Sequence, residues 1–489
     1  MGLALALALP CFGASCDALA KLPLKQGTVT LAADVAPGAF TPAQGNAAPY
    51  KSLAAFCRVA ATLTPTSDSD IKIEVWLPVA GWNKDLQSVG NGAWAGTISY
   101  SAMATALAAG YATASTDTGH TGNKADFAFG HPEKLNDFGY RAIHEMTVAA
   151  KTIATAYYGS APAHSYFNGC STGGRQALTE AQRYPADYDG IIAGAPAINA
   201  SRLQGMQVWV NQTAHLNGDA SYIPPAKYPM LHAAVMAACD GLDGVKDGVL
   251  ENPRKCHFDP EPLLCKIADA ADCLTKAQVE FAKEAYLGPS SGGRNVFPGL
   301  EAGSELGWAT LAAPKPMSLA AEVMQIANND RNWDHMKFDW AADMAKADKT
   351  VRSTLDSSDT DLRPFFNRGG RLLMYHGWAD PGIPPGNTLR YYDAVVAKAG
   401  NQKKAATQML LFMVPGMGHC RGGGTDTFDA PGALSRWVEQ GEAPTKLSAA
   451  RVQGGKTDRT RPLCPYPAQA VYSGTGSTDE AANFSCRVP

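Results

Sequence analysis

The stretch SYFNGCSTGGRQALTEAQRYPADYDGIIAGAP (165–196) decides the fold. It opens on β-forming, apolar residues, passes through small residues at 169–173, and continues with a helical pattern. A second apolar run at 190–195 closes it. That order predicts strand, sharp turn, helix, strand. Two strands joined in this way run parallel, because a hairpin cannot connect parallel neighbours and a crossover helix can. Within the turn, Gly169-Cys170-Ser171-Thr172-Gly173 matches G-x-S-x-G. The pattern alone is common; its place between a strand and a helix gives it meaning. A tight strand-to-helix turn needs small neighbours and holds the serine hydroxyl exposed, here Ser171. The helix that follows aims its N-terminal amides at the same point, where they favour developing negative charge.

Other strands lie on both sides of this unit. Residues 27–35 (GTVTLAADV) and 71–78 (IKIEVWLP) are rich in β-formers, and LQSV (86–89) runs into the Gly-rich turn 90–92. Residues 136–158 place apolar side chains at helical spacing, with Asn136 or Asp137 as the expected cap. Past residue 197 the texture changes. Four cysteines, an acidic loop and Trp209, Trp308, Trp333 and Trp340 occupy a long region with no clear strand. Strand patterns return in RLLMYHGWAD (371–380) and QMLLFMVPGMGHC (408–420), followed by a helix over 428–441 ended by Gly441. A length of 489 residues suggests about three domains at roughly 150 residues each. The pattern instead predicts one α/β domain interrupted by an insertion: a leader at 1–15, core at 16–196, inserted lid at 197–368, and core again at 369–489.

A serine nucleophile needs a base and an acid to orient it. On this fold class they follow in the order Ser, Asp or Glu, His. Asp380 follows the strand LLMYH (372–376) and His419 the strand LLFMV (410–414). Both sit just past the C-terminal ends of expected parallel strands, where open α/β sheets place their ligands. His419 is thus the expected base and Asp380 the group that holds its tautomer. His376, beside the acid, is expected to shape the pocket. His120 and His144 are rival histidines, and Asp117 in STDTGH (115–120) is the rival acid. For the oxyanion, the expected donors are the Thr172 amide, next to the nucleophile, and that of Gly92 in the early Gly-rich turn. Cys170 precedes the serine and Cys420 follows the histidine. If Ser171 and His419 meet, these cysteines are neighbours, as a disulfide or as two thiols.

Composition bounds the class. Hydrophobic residues are 45%, charged residues 18% and the formal net charge −3, which fits neither a nucleic-acid binder nor a disordered chain. The start, MGLALALALPCFGAS (1–15), has the apolar core and small-residue zone of an export signal, without its basic leader. No stretch is long enough to span a membrane. Of 11 cysteines, removing the leader takes Cys11 and leaves an even set, which suits a secreted or periplasmic protein with disulfides.

GCSTGG (169–174), HGWADP (376–381) and PGMGHC (415–420) together resemble the tannase and feruloyl esterase family, which includes monohydroxyethyl terephthalate hydrolase. VGNGAWAG (89–96), YDGIIAGAP (188–196) and RPLCPYP (461–467) extend the likeness from Cys57 to Cys486. The resemblance implies an α/β-hydrolase core with a large lid, ester hydrolysis, a Cys170–Cys420 bridge, and oxyanion donors at Gly92 and Thr172. It implies no organic cofactor but a structural calcium in the lid, held at CDGLDGVKDGV (239–249) by Asp240, Asp243 and Asp247 with the Val245 and Val249 carbonyls. Three carboxylates with interleaved glycines suit a hard cation, although the spacing is not that of an EF-hand. Cys239 and Cys256 flank this loop and would brace it; Cys265–Cys273 and Cys464–Cys486 are short-range pairs, which leaves Cys16–Cys57. By the same resemblance the lid supplies the acyl pocket; its tryptophans are candidate apolar walls, with most of them expected in the core. The terephthalate hydrolase has an extra lid stretch with an arginine for the free carboxylate. Here VFPGLEAGSELGW (296–308) runs quickly to MKFDW (336–340), with Arg331 in the gap, which leans the reading towards feruloyl or galloyl esters of a small aromatic substrate. The alternatives are a terephthalate-monoester hydrolase, a serine peptidase on the same fold, and a non-catalytic calcium-dependent binding module. The sequence leaves the oligomeric state open.

Overall fold

The computed structural model describes residues 13–43 and 45–488. Most of the expected leader, Cys11 included, lies outside the described residues. Nine strands form the central sheet: β1 Gly27–Val35, β2 Phe56–Leu63, β3 Ile71–Pro78, β4 Leu86–Val89, β5 Ala112–Thr116, β6 Ser165–Cys170, β7 Gly190–Gly194, β8 Arg371–Gly377 and β9 Met409–Val414. Their spatial order is β1-β2-β3-β5-β4-β6-β7-β8-β9. The first four in that order pair antiparallel and the rest parallel. Sequence explains the division. MLLFMV and GIIAG are buried at every position, as parallel strands covered on both faces must be, whereas edge strand β1 has no buried residue.

The chain leaves β4 through helix α1 (Tyr100–Ala108) to β5 on one side, then returns to β6 on the other. The strand order therefore reverses between β4 and β6, and a crevice opens at their C-terminal ends. One end runs into 90–92 and the other into Ser171. This is the α/β-hydrolase arrangement.

The helix expected from residue 136 begins earlier. Pro132–Asn136 is already helical, Asp137–Arg141 is a π-turn, and α2 covers Ala142–Tyr158. Neither Asn136 nor Asp137 starts it, and neither side chain makes a cap bond. A buried cation accounts for the local geometry. Arg175 donates to the carbonyls of Gly139 at 2.7 Å and Phe138 at 3.3 Å, and the wide turn exposes such carbonyls.

Among the described residues, none between Gly194 and Arg371 joins the main sheet. That segment holds α4 (Ala200–Asp219), α5 (Tyr228–Cys239), α6 (Lys276–Leu287), α7 (Ser318–Asn328) and α8 (Trp340–Thr350). Leu203, Val210, Leu231, Phe281 and Trp308 form a core of its own. A second cluster seats it on the sheet domain, joining Trp94 and Phe138 to Val208, Val323 and Met324. Ten cysteines pair as Cys16–Cys57, Cys170–Cys420, Cys239–Cys256, Cys265–Cys273 and Cys464–Cys486. Among the described residues no helix is long and apolar enough to cross a membrane.

Candidate active site

The turn after β6 is built by close backbone crossings. A Cβ on Gly169 would lie 2.5 Å from the backbone of Gly173, and one on Gly90 would lie 2.6 Å from the Gly173 Cα. Only glycine allows both approaches. Ser171 itself takes φ 65° and ψ −121°, a conformation that costs a non-glycine residue of order 1–3 kcal/mol and that concentrates at functional sites. Its amide donates to the Gly194 carbonyl at 3.0 Å, and helix α3 (Thr172–Arg183) starts at the next residue.

Ser171 Oγ lies 2.9 Å from His419 Nε2, and His419 Nδ1 lies 2.7 Å from Asp380 Oδ2. The serine hydroxyl donates to the imidazole, whose other N–H donates to the carboxylate. Asp380 is fully buried, and its Oδ1 accepts the amides of Gly382 and Ile383, each at 2.9 Å. Burial pushes its carboxyl up, but the hydrogen bonds and charges of His376 and His419 outweigh this and hold it well below the usual carboxylate range. For His419, burial alone would disfavour the cation. The Asp380 hydrogen bond and charge reverse that and raise its pKa.

The rival residues are elsewhere. His376 does not shape the pocket; it is fully buried behind the acid. Its Nε2 lies 3.2 Å from Asp380 Oδ2 and 3.0 Å from the Ile383 carbonyl, and its Nδ1 lies 2.8 Å from Thr388 Oγ1. Nε2–H donates to the acid and to the Ile383 carbonyl, and Nδ1 shares a hydrogen bond with the Thr388 hydroxyl. Asp117 Oδ1 accepts the amides of Lys72 and Gly119, each at 2.9 Å, and burial pushes its carboxyl up to about 7. His120 stacks on Phe127 and bonds the Trp94 carbonyl, and His144 pairs with Asp187 at 2.6 Å.

Gly92 and Thr172 both line the cavity that holds Ser171. The loop between them is fastened by contacts that no motif announces. Gln176 Oε1 accepts the Asn91 amide at 3.0 Å, while its Nε2 donates to Asn91 Oδ1 at 3.2 Å. The Gly-rich turn is thereby tied to the helix behind the serine. The Cys170–Cys420 bridge ties the histidine loop to the same turn.

The cavity measures about 430 Å³, and Ala197, Leu203, Met317, Leu319 and Ile383 form its apolar wall. None of the four candidate tryptophans lines it. Trp308 is fully buried among Tyr228, Phe281 and Tyr286, because a large ring gains most from complete burial. Arg331 is on the outside, bonded to Asp126 at 2.6 Å and lying over Phe129.

The acidic loop curls around its own carboxylates. Asp240 accepts the amides of Gly248 and Val249, and Asp243 accepts that of Val245 at 2.9 Å. Asp247 pairs with Arg461 and Arg459. Burial and the neighbouring acids push Asp243 up, and burial does the same for Asp247 against the pull of the two arginines. Asp240, Asp243 and Asp247 offer carboxylate oxygens, the donor type a hard cation takes, and the crowding of buried acids at Asp243 is what such an ion would relieve, while Asp247 is already balanced by its two arginines.

Serine, histidine and aspartate are thus hydrogen-bonded in series at the switch point of an α/β-hydrolase sheet. Residues 57–487 match the family described as tannase and feruloyl esterase. The chain is 33% identical to a probable feruloyl esterase B-2 of Aspergillus terreus, over 96% of this chain and 95% of that one. It is 38% identical to an uncharacterized esterase of Xanthomonas campestris, covering 97% and 91%. The crystal structure of feruloyl esterase B from Aspergillus oryzae superposes with a TM-score of 0.91 at 30% identity, covering 96% and 99%. Tannin acyl hydrolase from Aspergillus niger shares the fold, with a TM-score of 0.77 at 24% identity over 95% and 93%. The chain belongs to the tannase and feruloyl esterase family and is a carboxylic ester hydrolase of that type.

Proposed function

We propose that this esterase is exported and hydrolyses esters of phenolic carboxylic acids, such as feruloyl or galloyl esters, through an acyl-enzyme on Ser171. The observation that carries the reading is the Ser171–His419–Asp380 hydrogen-bond series. His419 takes the Ser171 proton as Oγ attacks the ester carbonyl. The amides of Gly92 and Thr172 donate to the oxyanion of the tetrahedral intermediate; one such donor is worth about 10²–10³ in rate. His419 then protonates the departing alcohol oxygen, leaving the acyl group on Ser171. A water molecule, deprotonated by His419, attacks the acyl carbon and frees the acid and the serine. Asp380 stabilises the imidazolium and fixes its tautomer throughout. The feruloyl esterase relatives support an aromatic acyl group, and the apolar cavity has room for one ring.

Calcium belongs to the scaffold in this reading. Asp240, Asp243 and Asp247, with the Val245 and Val249 carbonyls, would hold it, and it would supply only rigidity to the lid. Five disulfides support an oxidising compartment outside the cytoplasm. The test is Ser171→Ala, assayed on methyl ferulate and methyl gallate. Turnover is expected to fall by about 10⁴-fold or more with the melting temperature preserved, as removal of a triad nucleophile does. Wild-type-like turnover in that variant sinks the assignment.

A further inference from the structure

Helix α4 carries several amide side chains, and most are spent on backbone carbonyls. Gln207 Nε2 donates to the Gly382 carbonyl at 2.7 Å, which ties the helix to the acid loop. Asn211 Nδ2 donates to the carbonyls of Leu311 at 3.0 Å and Ala313 at 2.7 Å. Gln212 Nε2 donates to those of Met336 and Phe338, each at 3.0 Å. Gln204 differs. It is 3% exposed, it lines the Ser171 cavity, and its Oε1 has no partner. Among the described residues its amide makes no hydrogen bond at either end. Buried side-chain amides are nearly always bonded, because stripping water from them without replacement is unfavourable. An amide left unspent beside a reactive serine is one whose partner arrives with the ligand.

The rest of the wall sharpens what that partner is. The Thr172 hydroxyl is spent on the Ala93 carbonyl at 3.1 Å; Gln207 spends its Nε2 on Gly382, while its Oε1, like that of Gln204, has no partner. Apart from Ser171 and His419 the remaining wall side chains are apolar, and neither Lys nor Arg lines the cavity. Such a pocket accepts a ring and satisfies a neutral polar substituent on it. A carboxylate there would lose its water with no cation to replace it.

We infer that Gln204 is the residue that sets acyl specificity, by hydrogen bonding a hydroxyl on the ring of an aromatic acyl group. The terminal amide can donate from Nε2 to the phenol oxygen or, rotated, accept the phenol proton at Oε1. The assignment rests on the Ser171 esterase reading, and it turns away acyl groups that carry a second carboxylate.

The experiment compares methyl p-coumarate with methyl cinnamate, which differ by one ring hydroxyl, on wild type, Gln204→Leu and Gln204→Met. Wild type is expected to prefer the hydroxylated ester in kcat/KM. In both variants that preference falls by about tenfold or more, mostly through KM, because a site built to bond a hydroxyl discriminates against its absence. Terephthalate monoester remains the poorest substrate of wild type. A wild type with no preference, or a variant that loses both esters in equal proportion, overturns the inference, and the methionine variant guards against misfolding of the leucine one. Failure of the underlying reading looks different: wild type then hydrolyses neither ester, or Ser171→Ala retains hydrolysis.

Discussion

Removing the Cys170–Cys420 bridge by replacing both residues with alanine separates two roles of one bond. The half-cystines are 250 residues apart, so the chain-entropy relation assigns the closed loop about 5.5 kcal/mol. A chain of this size has a transition entropy of about 1 kcal/mol/K, so the melting temperature should fall by about 5 °C. The second role is geometric. Cys170 adjoins Ser171, and Cys420, held at φ +62°, adjoins His419. Without the bridge the histidine loop is free to move off the 2.9 Å contact with the serine. Misplacement by about 1 Å costs about 10²-fold in rate, so kcat should fall by that factor well below the transition. Removing Cys265–Cys273 is the control. Its loop spans 8 residues away from the serine cavity; the same relation gives about 2.5 kcal/mol, with kcat intact. The measurements are calorimetric melting and kcat on methyl ferulate at 20–25 °C below the transition. A double alanine variant with a melting point within about 1 °C of wild type and unchanged kcat would refute the reasoning.

Two further outcomes are expected. His419 acts as a base only when neutral, and Asp380 raises its pKa, so kcat/KM should fall as pH drops, with a midpoint above the ordinary histidine value of about 6.5. In Asp380→Asn the raising influences are lost and burial remains, so the midpoint should move down while kcat drops by about 10⁴-fold; a midpoint that stays put contradicts the coupling. Chelation should lower the melting temperature by several degrees, since an ion bound only to the folded lid stabilises it by mass action, and Asp243→Ala should abolish that difference. An unchanged melt, with no metal found by elemental analysis, removes calcium from the lid.

Local sequence determines much of this protein. The elbow is legible because its requirements are local: small residues where an added Cβ would lie 2.5 Å from a crossing backbone, a serine forced to φ 65°, and a helix that begins at once. The strands are legible because burial on both faces leaves runs such as MLLFMV. Asp380 and His419 are legible by position, each one short loop beyond such a strand. Tertiary structure decides what depends on partners distant in the chain. The helix from Pro132 runs through residues 136 and 137 because Arg175 takes up carbonyls at the wide turn. His376 lies behind the acid because the chain folds Thr388 and Ile383 onto it. Trp308 leaves the cavity wall because a fully covered indole is worth more in the core, and Gln204 enters it because α4 presents that face to Ser171. Backbone geometry and periodicity are written residue by residue. Which side chain faces a cavity depends on the sum of many packing and desolvation energies, and no short stretch of chain contains that sum.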